Sequence, residues 1–193
     1  MTASDAPRID LPVLETARLR LRKLSLDDTE DVFAYASDPE VARYVTWDAH
    51  RSIQDSAAFL NMVKQKYENG QIAEWGIVDT STGRVVGTCG FTWVRSEHGK
   101  AEIAYAISRS YWNQGLVTEA VGACISYGFD VLKLNRIEAR CMPDNIGSER
   151  VMQKCGMRCE GTLRQTMLVK GKHVDLKLYA ILQEEWRRGN VAS

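Results

Sequence analysis

Residues 101–120 read AEIAYAISRSYWNQGLVTEA, and the fold turns on how this stretch divides. Its first half alternates, with Ile103, Tyr105 and Ile107 on one side and Glu102, Ala104 and Ala106 on the other, the period of a strand. From Leu116 an apolar run begins that reads as a helix over 116–132. Gly115 stands between them and permits close backbone approach. The first amides of a helix have no partner inside it and sit at the positive end of its dipole. The N–H groups of Gly115, Leu116, Val117 and Thr118 therefore converge on one point, and a phosphate is the natural guest there, with the Thr118 hydroxyl as a further donor. A strand-to-helix turn that binds nothing would read the same way. No glycine–lysine pair follows as in a Walker loop, and the three glycines of a dinucleotide fingerprint are not present.

Outward from this stretch the elements alternate. Residues 17–24, ARLRLRKL, alternate apolar and basic and form a half-exposed strand. Ser25, with Asp28 three residues on, starts a helix over 25–37 that Pro39 ends. A second helix spans 52–69, where Ile53, Ala57, Leu60, Val63 and Tyr67 keep helical spacing and Gly70 follows as a C-cap. Strands follow at 75–79, 84–94 and 100–107, separated by the turns STG and SEHG. Beyond the helix at 116–132 come a strand at 136–142, a short helix at 145–155 closed by Gly156, and two strands at 160–169 and 173–182 around the turn KGK. The order β-α-α-β-β-β-α-β-α-β-β describes one mixed α/β domain over 1–193, with residues 1–12 as a flexible N-terminal extension. Consecutive hairpins forbid a purely parallel doubly wound sheet.

Composition narrows the function classes. The chain has 193 residues, 45% of them hydrophobic, enough for one good core. Lys+Arg and Asp+Glu balance at 25 each, so no bulk field favours nucleic acid or an anionic membrane. The opening MTASDAPRID lacks the apolar core of a signal peptide, and no run approaches the roughly 20 apolar residues of a membrane span. Five cysteines without a secretory signal read as reduced thiols in the cytoplasm. Only three histidines, His50, His98 and His173, are present, and their spacing argues against a zinc site.

A second motif, DNIGSERVMQKCGM over 144–157, opens a helix with Asn145 at its cap and sets Ser148, Val151, Met152 and Cys155 on one face. Together the two motifs resemble the GNAT superfamily of acetyl-CoA-dependent N-acetyltransferases, and most closely its RimJ/RimL-like branch of ribosomal-protein N-terminal (alanine) acetyltransferases. The branch pattern N-x-x-S-x-x-V-x-x-K-x-G is matched by Asn145, Ser148, Val151, Lys154 and Gly156. Its T-x-R-L-x-L-R start is matched by TARLRLR at 16–22, its A-E-I-x-Y strand by 101–105, and its E-G-x-x-R-Q strand by 160–165. Val174, Asp175 and Tyr179 match its V-D…Y ending.

The resemblance implies a mixed, mostly antiparallel central sheet of about seven strands, flanked by helices. That sheet splays between the fourth and fifth strands, 100–107 and 136–142, so that a pantetheine arm can enter. It implies acetyl-CoA as co-substrate, no metal, and a homodimer as a frequent assembly. The diphosphate would sit on the Q/R-x-x-G-x-G/A loop, here Trp112, Asn113, Gln114, Gly115, Leu116 and Val117, followed by Thr118. Trp112 and Val117 depart from that pattern, and Asn113 replaces a glycine common in the branch; such changes remove no amide donor, as only proline would. Backbone groups near Ala106, Ile107 and Ser108 would pair with the arm and stabilise the oxyanion. Arg150 and Lys154 would meet the adenosine phosphates, or stand as solvated surface charges.

The implied reaction needs a neutral amine and a proton for the leaving thiolate. Glu102, acting through water, is the first candidate base, although a carboxylate beside two alanines also suits plain packing. Some Rim-type enzymes carry a glutamate two residues after the R-Q pair, where this chain has Met167; Asp175 or solvent are the other routes. Ser148 is the candidate donor, with first-turn capping as its bland alternative, and Tyr179 is its rival. Residues 40–48, EVARYVTWD, resemble the variable wall of the acceptor groove. Tyr44 and Trp47, with Trp75 and Trp93 from nearby strands and Asp175, would line it, or else pack in the core. Three functions stay open: acetylation of a protein or peptide N-terminal α-amine, acetylation of a small amine such as a polyamine, amino sugar or antibiotic, and an acyl-CoA-binding sensor without catalysis.

Overall fold

A computed structural model describes residues 11–191. One eight-stranded sheet runs through them in the order β1-β2-β3-β4-β5-β6-β8-β7. The strands are β1 (Leu14–Glu15), β2 (Leu19–Arg22), β3 (Glu74–Asp79), β4 (Val85–Arg95), β5 (Lys100–Ile107), β6 (Arg136–Cys141), β7 (Arg158–Val169) and β8 (Lys172–Leu182). The helices are α1 (Thr29–Ala36), α2 (Pro39–Ala42), α3 (Ile53–Glu68), α4 (Leu116–Asp130), α5 (Ile146–Lys154) and α6 (Gln183–Val191). The mixed sheet flanked by helices agrees with the reading above; the eighth strand is the two-residue β1, which pairs Leu14 with Leu21. α6 has no counterpart in that reading, because QEEWRRGNV is polar on nearly every side and carries no apolar stripe.

Local chemistry explains the boundaries. Ser25 and Asp28 form a capping box, as do Ser52 and Asp55 at the start of α3. Pro39 does more than end α1. It occupies the first turn of α2, where its missing N–H costs nothing, and the Asp38 side chain accepts from the Glu40 amide. The two faces of the sheet receive different helices: Thr88 meets Tyr35 of α1, while its neighbour Cys89 lies 3.5 Å from Cys124 of α4, as strand alternation requires. α4 approaches closely because Gly128 has no side chain. A Cβ there would fall 2.8 Å from Ile137 and 3.1 Å from Phe91.

All neighbouring strands are antiparallel except β5 and β6, which pair in parallel over only three residues, Lys100 to Glu102 against Arg136 to Glu138. Beyond Glu102 the two strands diverge. This is the splay expected between 100–107 and 136–142, and it leaves the β6-facing backbone edge of Ala104–Ile107 without a strand partner. Of the segment 1–12 expected as an extension, residues 1–10 lie outside the described residues. Leu11 is buried in the core, and the carbonyl of the exposed Pro12 accepts from the buried Trp75 indole at 2.7 Å, which ties this segment to the core. No helix among the described residues is long and apolar enough to cross a membrane.

Candidate active site

The divergence of β5 from β6 opens a cavity of about 430 Å³. Tyr105, Ala106 and Ile107 form one wall, the mouth of α4 a second, the first turns of α5 a third, and Glu40, Val41, Tyr44 and Val45 in and after α2 a fourth. Of the residues expected at a cofactor, Ala106, Ile107, Trp112, Asn113, Gly115, Leu116, Val117, Thr118, Asn145, Ser148 and Lys154 line it, as does Arg150. Ser108 and Gln114 do not. The Ser108 amide is spent on the Val86 carbonyl at 2.8 Å, and the Gln114 carbonyl accepts from Arg18 at 3.0 Å.

Backbone conformation builds the α4 mouth. Gly115 is its N-cap at φ 78°, so no capping side chain accepts from the first-turn amides. Asn113, the departure from glycine, sits at φ 60°. That region costs most side chains 1–2 kcal/mol or so but is visited readily by asparagine, so the substitution preserves the turn. Trp112, the other departure, donates its indole N–H to the Ile107 carbonyl at 3.0 Å and pins the loop to the end of β5. The Ile107 carbonyl is thereby occupied. Free first-turn amides at the positive end of a 15-residue helix fit an anionic group such as a diphosphate.

Across the cavity, the Asn145 side chain accepts from the Ser148 amide at 3.1 Å and caps α5. With capping assigned to Asn145, the Ser148 hydroxyl is released for another partner, and it lies 3.0 Å from the Tyr105 hydroxyl. Tyr105 also donates to the Ser148 carbonyl at 3.1 Å. Burial pushes the Tyr105 phenol well above its usual range, so it keeps its proton at any physiological pH. The sequence shows Tyr105 only on one face of an alternating strand and as the last residue of the A-E-I-x-Y match. Its phenol reaches Ser148 because β5 and α5 close on each other in space, across 43 positions of sequence. Behind α4, burial pushes the Cys155 thiol up to about 12, which leaves it protonated and 3.6 Å from the Thr118 carbonyl.

Other expected site residues lie elsewhere. Glu102 is buried outside the cavity lining; it accepts from the Thr92 hydroxyl at 3.0 Å and forms an ion pair with Arg140 at 2.5 Å, without good hydrogen-bond alignment. Tyr179 is buried with its hydroxyl donated to Glu149 at 2.6 Å, and that bond raises it to about 12. Asp175 accepts the Gln165 amide at 2.7 Å and fastens a bulge in β7, where Gln165 sits at φ 47°. Among the aromatic residues expected at an acceptor, only Tyr44 lines the cavity. Trp75 is a correction: it has no exposed surface and packs edge-on against Tyr127 at 5.3 Å, a core position in a strand buried along most of its length. Trp47 packs near His50 at 5.8 Å, and Trp93 lies under the Lys100 ammonium at 5.7 Å. Tyr44 and Trp47 are three residues apart, yet both lie beyond the end of α2 at Ala42, so a helical face does not align them.

Known proteins agree with this geometry. The family described as "Acetyltransferase (GNAT) domain" matches residues 18–158. An uncharacterized N-acetyltransferase, p20, of Bacillus licheniformis is 35% identical over 91% of this chain and 99% of its own. A solved GNAT-family acetyltransferase from Bacillus anthracis superposes with a TM-score of 0.80 at 32% identity, covering 90% of this chain and 99% of that one. The ribosomal protein uS5-alanine N-acetyltransferase of Escherichia coli is 27% identical over 68% of this chain and 69% of its own. With the family matched across β2 to the start of β7, and the open fork of β5 and β6 in place, the chain is a member of the GNAT acetyltransferase family and an acyltransferase, with ribosomal-protein-alanine N-acetyltransferases among its relatives.

Proposed function

We propose that this protein transfers an acetyl group from acetyl-CoA to a primary amine, and that the amine is the α-amino group of a protein or peptide N-terminus. The observation that carries the reading is one cavity holding both an uncapped α4 mouth and the Ser148–Tyr105 hydroxyl pair. When bound, acetyl-CoA supplies an activated thioester whose thiol must leave. The α4 amides, with Arg150 and Lys154 on α5, hold its phosphates; the edge of β5 without a strand partner, apart from the Ile107 carbonyl that Trp112 occupies, faces its amide-bearing arm. Ser148 delivers a proton where the thiolate departs and recovers it from solvent, while Tyr105 keeps its own proton and orients the Ser148 hydroxyl.

Glu102 is engaged by Arg140 and Thr92, so in this reading it braces the fork of β5 and β6, and proton removal from the ammonium falls to solvent at the cavity mouth. The wall in and after α2 offers Val41, Tyr44 and Val45 beside one carboxylate, Glu40, and the other carboxylate lining the cavity, Asp144, stands on the far side beside α5. Such a wall suits one ammonium followed by a peptide better than a polyamine with several charges. The relationship to the uS5-alanine enzyme points the same way.

The test is thiol release from acetyl-CoA with N-terminal peptides and small amines, beside calorimetric titration of acetyl-CoA. Turnover on peptides, retained within about threefold in Glu102→Gln, is the expected result. Tight binding with no turnover on any amine would replace the transferase with an acyl-CoA sensor. A hundredfold loss in Glu102→Gln would restore that carboxylate as the base.

A further inference from the structure

We propose that Thr16, Arg18 and Glu119 form a clamp that fixes the Gln114–Gly115 peptide with its N–H turned into the cavity, making them positioning residues for the phosphate-binding mouth. This rests on the reading that the α4 mouth receives the phosphates of acetyl-CoA. Thr16 and Arg18 precede or open β2, whereas Glu119 lies in the first turn of α4, about a hundred residues away. The Glu119 carboxylate accepts from the Thr16 hydroxyl at 2.6 Å, from the Arg18 amide at 2.8 Å and from Arg18 Nε at 2.8 Å, and Arg18 Nη2 lies 2.7 Å from it. Thr16 is itself held by the Leu19 amide at 3.0 Å. Gripped this way, the guanidinium has one remaining direction for Nη1, and it donates to the Gln114 carbonyl at 3.0 Å.

The consequence follows from peptide geometry. A trans peptide is planar, with C=O and N–H pointing in opposite directions. Tying the Gln114 oxygen to Arg18 on the outside of the loop therefore sends the Gly115 N–H the other way, toward the cavity that Gly115 lines. Without the tie this peptide is free to flip. Gly115 at φ 78° has no Cβ to resist rotation, and Asn113 at φ 60° already occupies the left-handed region. A flip would present a carbonyl oxygen to an anion. The clamp has an electrostatic side as well: Glu119 is a carboxylate in the first turn of the helix that would hold the phosphates, and Arg18 balances its charge.

Calorimetric titration with coenzyme A tests this in Arg18→Ala, Arg18→Lys and Thr16→Ala. Arg18→Ala is expected to weaken coenzyme A about tenfold, the loss of one oriented hydrogen bond set, with binding stoichiometry and kcat at saturating acetyl-CoA within twofold of the parent. Arg18→Lys keeps the charge but cannot serve Glu119 and Gln114 together, so it stays weak. Thr16→Ala, the mildest change, is expected to lose about threefold. Turnover with acetylpantetheine, which carries no diphosphate, should not change in any of them. A merely structural role would lower the binding-competent fraction or the melting temperature and leave the affinity of the folded fraction alone. Coenzyme A affinity within twofold of the parent in both Arg18→Ala and Thr16→Ala overturns the clamp. So does full recovery in Arg18→Lys, or an equal loss with acetylpantetheine. Failure of the parent protein itself to bind coenzyme A would instead remove the phosphate reading on which the clamp rests.

Discussion

At the α4 end of the cavity the backbone supplies the polar groups that the proposed reading uses for recognition: uncapped amides, a Gly115 N-cap, and a loop pinned by Trp112 to β5. At the α2 end, side chains supply it. Glu40, Val41, Tyr44 and Val45 sit in or just after a four-residue helix. The tip of the β7–β8 hairpin reaches that helix through Lys170, whose ammonium donates to the Ala42 carbonyl at 2.6 Å. Backbone donors tolerate substitution of every residue but proline, and so suit a ligand that stays constant. Side chains on short elements can change without disturbing the sheet, and so suit a ligand that varies among relatives. The Ser148–Tyr105 pair lies between the two ends, and variants there separate chemistry from binding.

Ser148→Ala has the largest expected effect. With Ser148 as the proton donor proposed above, its removal should lower kcat about a hundredfold, while acetyl-CoA affinity by calorimetry moves less than threefold, since Asn145 and not Ser148 caps α5. A change in acetyl-CoA affinity without a change in kcat would move Ser148 from the chemistry into the cofactor wall.

A second expectation concerns pH and the packing behind the cofactor end. Burial raises Cys155 to about 12 and Cys141 to about 11 from an ordinary 9.0. Above pH 9 the unfolded chain gives up these protons and the folded chain keeps them. The unfolded state then binds fewer protons, so stability falls as pH rises from about 9 through the folded values. The slope is roughly 1.4 kcal/mol per pH unit per thiol, a tenfold change in the folding constant. Urea unfolding at pH 8, 9 and 10 measures it, and a flat profile would mean that these thiols ionise freely in the fold.

Tyr105→Phe should cost less than the serine, about tenfold in kcat, because Ser148 remains and loses only its partner. The pH–rate profile discriminates the roles. With the phenol held protonated, the parent should show no loss of rate between pH 8 and 10 that the phenylalanine variant abolishes; a limb that vanishes with the hydroxyl would show Tyr105 ionising during turnover.

These residues differ in how far they could be read from sequence. The α4 mouth was legible because strand, glycine and helix are contiguous at 101–120, and local geometry dictates where the first amides point. Asn145 and Ser148 were legible for the same reason, three residues apart on one short helix. The phenol of Tyr105 was not, since nothing in an alternating strand says which helix will lie across it. Glu102 was misplaced because the alternation that gave its face gave no hint of Arg140, which β6 carries to it from 38 positions on. The pairings β3–β4, β4–β5 and β7–β8 were open to reading from their hairpin turns, whereas β1 was too short and α6 too polar to signal themselves.

Lys170→Ala should have the smallest effect, and only at the acceptor end. Lys170 stands at φ 48° and Gly171 at φ 77°, so the hairpin tip is a tight turn whose reach toward α2 ends in this one bond among those described. Ala42 is the last residue of α2, and its carbonyl is one that the helix cannot satisfy internally. Losing the lysine should leave coenzyme A affinity unchanged and raise KM for a peptide acceptor two- to threefold, the weight of one partly buried charged hydrogen bond after solvent takes its place. Both constants are read in one experiment, with acetyl-CoA saturating while the peptide is varied and then the reverse. A shift in the acetyl-CoA constant would mean that the hairpin also shapes the α4 end, and that the two ends do not act independently. A shift confined to the peptide would assign the gap between α2 and the β7–β8 hairpin to the acceptor.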